Sequence, residues 1–112
     1  MYIPVYLPRY DEIRLVFPYN ELNIAGLMVQ NLLMLSKNEG CDIPSDIEIA
    51  FKNAIESEER LCLNFGREYR EFAIRIIEAV IESHENEDEN EDAKPLKEFL
   101  EDIEVFERQY LH

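Results

Sequence analysis

A chain of 112 residues with 46% apolar side chains has the length of one domain and enough apolar mass to bury a core without disulfide or metal staples. Its 25 acidic and 11 basic residues leave a formal charge of −14, which repels nucleic acid and anionic membranes and attracts basic proteins. No stretch approaches the roughly 20 apolar residues of a membrane span, and MYIPVYLPRYDE has neither the basic start nor the apolar run of a secretory leader, so a cytoplasmic protein is expected.

Residues 1–19 read as a β-hairpin. YIPVYL alternates bulky side chains, PRYDE supplies turn residues, and IRLVFPY is again β-branched and aromatic. Pro4 and Pro8 lack a donor N–H, which places the first strand at a sheet edge. Asn20 is the expected N-cap of a helix running to Lys37, with Gly40 as its stop. That helix is apolar on most sides (Leu22, Ile24, Ala25, Leu27, Met28, Val29, Leu32, Leu33, Met34, Leu35), the pattern of a buried central helix. Gly26 in its middle implies close approach of another element.

Ser45 and Glu48 have the spacing of a capping box at the start of a second helix. Ile47, Phe51, Ala54, Ile55, Leu61, Cys62 and Phe65 continue it at helical period. Gly66 interrupts the pattern, and Arg67 to Ser83 form a third helix carrying a second apolar stripe of Ile74, Ile77 and Ile81. Two helices fit a compact molecule better than one from Asp46 to Ser83, which would span roughly 57 Å. The run HENEDENEDAKP then reads as a self-repelling linker. Pro95 suits the first turn of a last helix, whose apolar face is Leu96, Phe99, Leu100, Ile103, Phe106 and Tyr110. The expected fold is α+β and mostly α. It is one domain, 1–112, with a hairpin (1–19) packed on a bundle of about four helices: a helical core (20–83), an acidic linker (84–94) and an amphipathic acidic helix (95–112).

Charge is concentrated at the C-terminal end, where residues 85–112 hold 11 acids against 3 bases. Catalytic chemistry finds few footholds. Phosphate-cradling glycine motifs are absent and only three glycines occur. HExxH, a zinc cysteine set and the ExxH pair of di-iron bundles are also missing. His84 and His112, the only histidines, read as solvated. Cys41 and Cys62 read as small buried thiols of a reducing compartment. Asp88, Asn90 and Asp92 have the 1, 3, 5 spacing of an EF-hand loop, but Ala93 and Phe99 stand at its glycine and glutamate positions. The pairs Glu68/Glu71 and Glu78/Glu82 have the spacing of a magnesium-binding helix, but Arg67, Arg70 and Arg75 lie close enough to neutralise them. No catalytic residue, cofactor or metal site is expected.

A non-catalytic binding protein remains. Its expected contact set is Glu85, Glu87, Asp88, Glu89, Glu91, Asp92, Glu98, Glu101, Asp102, Glu104 and Glu107. Carboxylates one helical turn apart have Cβ atoms about 5–6 Å apart and can splay to the roughly 7 Å between successive phosphates of a strand. The expected partner is a basic protein surface, such as that of a nucleic-acid-binding enzyme or complex, with no direct contact to nucleic acid or membrane. In size, acidity and lack of a catalytic set the chain resembles phage and viral anti-restriction and anti-CRISPR proteins, a likeness of composition without a shared motif. An immunity protein or antitoxin neutralising a cationic toxin is the alternative. So is an adaptor subunit working through apolar helix faces, with Ile74, Ile77 and Ile81 as a candidate homodimer interface.

Overall fold

A computed structural model describes residues 5–9 and 12–110, with the backbone alone for 5–9, 106, 107, 109 and 110. Pro4, Tyr10 and Asp11 of the expected turn, His112, and the side chains of Phe106, Glu107 and Tyr110 lie outside the described residues. The expected α+β architecture is present. Strands β1 (Val5–Arg9) and β2 (Glu12–Phe17) form the antiparallel N-terminal hairpin. Helices α1 (Leu22–Asn38) and α2 (Ile47–Ser57) come next, then a third strand β3 (Leu61–Phe65), then α3 (Arg70–Asn86) and α4 (Asn90–Tyr110).

The sheet has the order β1-β2-β3, all antiparallel, so the hairpin gains a third strand that its sequence surroundings concealed. Leu61, Cys62 and Phe65 belong to this strand and not to a helix. LCLNF satisfies a period of two as well as a helical one, and its Leu61, Leu63 and Phe65 turn one face inward while Cys62 and Asn64 stay exposed. Pairing with β2 decides between the two periods, setting Ile13 opposite Phe65 and Leu15 opposite Leu63. Ile13, Leu15 and Phe17 thereby form the inner face of the central strand. β1 lies at the edge, as Pro8 requires, and its pairing slips between Tyr6 and Arg9.

One apolar core joins the sheet to the helices. The Phe17 and Phe51 rings meet edge-on at 5.1 Å and tie the sheet to α2, and Phe65 meets Phe72 at 6.1 Å and ties it to α3. α4 packs on α3, while α1 packs on both α2 and α3. Ile77 and Ile81 lie inside this core, beside Phe72, Ile76 and Val80. They are buried and so are not a surface stripe; only Ile74 is half-exposed.

Three helices end the same way, and each ending redirects the chain into its next segment. After α1, Gly40 takes φ +75°, Cys41 N–H donates to the Ser36 carbonyl, and Gly40 N–H donates to the Lys37 carbonyl. This is the Schellman closure expected of a glycine stop. The same pair of bonds recurs after α2, from Glu59 to Ala54 and from Glu58 to Ile55, with Glu58 at φ 54°. It recurs after α3, from Glu89 to His84 and from Asp88 to Glu85, with Asp88 at φ 59°. At both later sites an acidic residue occupies the left-handed position that glycine takes after α1.

Helix starts differ from expectation. Asn20 lies inside a 3-10 turn, Tyr19–Glu21, so α1 begins at Leu22. Ser45 is exposed and α2 begins one residue too late for the Ser45–Glu48 box; the Asp46 carbonyl accepts the first helical bond, from Ala50. Arg67–Tyr69 is likewise a 3-10 turn ahead of α3. The expected linker 84–94 is largely helical: α3 continues to Asn86, three residues turn the chain, and α4 starts at Asn90. Pro95 therefore stands well inside α4 instead of in its first turn.

Candidate functional site: the acidic α3–α4 corner

The turn between α3 and α4 brings the expected contact residues onto one end and one side of a helical hairpin. α4 inserts Ala93, Leu96 and Ile103 into the core, with Phe99 and Leu100 half-buried beside them. This 3–4 spacing turns the acids outward: Glu91, Asp92, Glu98, Glu101, Asp102 and Glu104 are exposed on α4, as are Glu85, Glu87 and Asp88 at the end of α3. Glu89 is half-buried. Glu107 lies in α4, and its side chain is outside the described residues.

Few cations offset this ridge. Lys97 Nζ lies 3.3 Å from Glu85, bridging α4 to α3, and Arg108 pairs with Glu104 one turn earlier. Among the described residues no lysine or arginine pairs with Asp88, Glu91, Glu98, Glu101 or Asp102. Within the turn, the Glu87 and Glu89 carboxyls share a hydrogen bond, which raises the pKa of Glu89 and lowers that of Glu87.

His84 is not solvated. It is fully buried in the last turn of α3, with Nδ1 3.8 Å from Glu89 Oε1. The Schellman bond from Glu89 N–H to the His84 carbonyl, 2.7 Å, fixes this juxtaposition. Asp92, in the first turn of α4, completes a group in which one ligand atom each of His84, Glu89 and Asp92 lies within 4.8 Å of the others. Asn90 already belongs to α4, so the EF-hand-like spacing does not form a loop. The spacing H-x4-E-x2-D was readable in the sequence, but its meaning depended on the turn that folds Glu89 back onto the helix end.

The other carboxylate pairs sit elsewhere. Arg75 donates to Glu71 at 3.1 Å and to Ser36 Oγ at 3.4 Å, and forms an ion pair with Glu39, so it clamps the end of α1 to α3. Arg75, Glu71 and Glu39, with Leu32, Leu35, Ile74, Glu78 and Glu82, line an open recess of about 520 Å³ between α1 and α3. Cys41 is half-buried and Cys62 exposed, both as free thiols, so neither is the buried residue expected. Burial pushes the Cys41 thiol up, and the Glu71 carboxylate adds to the shift.

α1 departs most from expectation. Only one stripe is buried, through Leu22, Ala25, Val29, Leu33 and Ser36, while Ile24, Leu27, Met34 and Leu35 are each more than half exposed. No described helix is long and apolar enough to cross a membrane. Comparison with protein-family models, curated proteins and solved structures finds no match.

Proposed function

We propose that this chain is a small non-catalytic interaction protein that docks the acidic side of α4 and its turn onto a basic protein surface in the cytoplasm. The partner is a protein whose cationic surface ordinarily holds nucleic acid. One observation carries the reading: a helical hairpin displays Asp88, Glu91, Glu98, Glu101 and Asp102 without neutralising partners among the described residues. Charges held at helical spacing cost little ordering on binding and attract a cationic groove at long range.

The test is capture from host-cell lysate on immobilised protein, beside a variant with Glu91, Glu98, Glu101 and Asp102 changed to lysine. Circular dichroism first establishes that the variant keeps its helices. The reading requires a nucleic-acid-binding protein that elutes at moderate salt, is displaced by added DNA or RNA, and is not held by the variant. Equal capture by both columns overturns it. Capture that resists salt but is lost on the variant instead favours the immunity-protein alternative, in which buried anchors hold the complex.

The outer face of α1 favours a second, compatible reading: two copies of the chain meet through it. α1 contains no acidic residue and one lysine, so it lets molecules of charge −14 approach without opposing carboxylates. Sedimentation should then show a dimer that dissociates when Leu27 and Met34 are changed to lysine; a monomer at all concentrations contradicts it.

A further inference from the structure

We infer that His84, Glu89 and Asp92 form a binding site for a divalent transition-metal ion, with zinc as its natural probe. The inference goes beyond the interface reading and does not depend on it. Acidic side chains at a surface turn are common; the distinctive group here is the imidazole. In a Schellman closure, the third residue from the helix end and the residue after the left-handed position are brought side by side, and an apolar pair commonly fills that contact. At the end of α3 these two positions are His84, fully buried, and Glu89, half-buried. A histidine and a carboxylate are therefore built into a place where packing alone calls for hydrocarbon.

The distances suit one ion. Zinc binds imidazole nitrogen and carboxylate oxygen at about 2.0–2.2 Å, so two ligand atoms on one ion lie at most roughly 4 Å apart. Nδ1 of His84 and Oε1 of Glu89 are 3.8 Å apart, already within that limit. All three ligand atoms lie within 4.8 Å of one another, and Asp92 is exposed, so its side chain has room to turn onto a shared ion. His84 is the fixed element and the carboxylates are the adjustable ones.

The donor set selects the metal. Imidazole nitrogen with two carboxylates suits zinc, manganese, iron(II), cobalt or nickel, whereas magnesium and calcium prefer oxygen alone. The half-buried and exposed carboxylates leave the outer side of the ion open to water or to a partner's side chain. The ion would tie the last turn of α3 to the first turn of α4, and so brace the corner that carries the acidic ridge.

The experiment is titration of chelator-treated full-length protein with zinc chloride, followed by calorimetry and by ¹⁵N resonances of the imidazoles. The variant His112→Gln assigns the His84 signals. The expected result is one ion per chain, movement of the His84 nitrogen resonances, and affinity more than about tenfold weaker in both Glu89→Gln and Asp92→Asn. That bound is set by the loss that even outer-shell partners of metal ligands produce. Both substitutions sit at or near the surface, so the variants keep the fold and the comparison stays interpretable; a His84 substitution, in the core, would not. Absence of binding, binding that leaves the His84 resonances unmoved, or wild-type affinity in either variant overturns the inference.

Discussion

At the scale of single residues, two backbone positions carry cost that the fold tolerates. Glu58 closes α2 in the left-handed region, φ 54° and ψ 41°, where a side chain with a Cβ is disfavoured by roughly 1–2 kcal/mol. Glycine there recovers that strain and returns part of it as entropy of the unfolded chain. Glu58→Gly should raise stability by about 0.5–1 kcal/mol, read as a rise of a few degrees in the thermal midpoint; a lower midpoint would show that the strain is absent. Gly26 is the reverse case. A Cβ added there meets Phe51 Cδ1 at 3.7 Å, an ordinary contact, so the close approach inferred from the sequence leaves room for a methyl group. Gly26→Ala should gain up to about 1 kcal/mol from helix propensity, measured as a shifted urea midpoint with unchanged slope; a loss would mean that α1 and α2 pack more tightly than this distance. The same positions explain what sequence reading missed. Gly40 announced the end of α1, but Glu58 and Asp88 perform that role without glycine, so the ends of α2 and α3 carried no visible stop.

At the scale of elements, unseen stops had consequences. Without one after Ser57, the apolar residues of LCLNF were absorbed into a helical period, and the third strand was hidden. The hairpin was readable because alternation, turn residues and edge prolines agreed there. α3 and α4 were readable in their apolar faces, but not in which face met a neighbour: Ile77 and Ile81 resemble a spare stripe until the fold buries them in the core. The acidic run resembled a linker because its charge suppressed the helical signal, although only three residues separate α3 from α4. His84 was invisible as a buried group for the same reason. Pro95 shows what that corner tolerates. As the sixth residue of α4 it withholds the bond that would reach the Glu91 carbonyl. Pro95→Ala should therefore stabilise the protein by about 1–3 kcal/mol, with increased amide protection across the first two turns of α4. Unchanged stability would mean that the helix start is already frayed there.

At the scale of the whole molecule, −14 of net charge opposes compaction, and most of the ridge on α4 repels itself. Screening shortens the reach of these charges to about 8 Å near physiological ionic strength and about 3 Å at molar salt. Raising sodium chloride from low to molar concentration should therefore raise the thermal midpoint, and more so for wild type than for the variant lysine-substituted at Glu91, Glu98, Glu101 and Asp102. A midpoint insensitive to salt would show that the ridge is not a region of net repulsion. A protein that keeps such repulsion on a helical hairpin is well suited to give it up against a cationic partner, where counterions are released as the surfaces meet.

The most direct measurement of that central idea is the salt dependence of affinity for the captured partner, with wild type beside the same four-lysine variant. Docking through the acidic side of α4 predicts an association constant that falls steeply as a power of salt concentration, and a variant that does not bind. An affinity independent of salt, or a variant that binds as tightly as wild type, would contradict it.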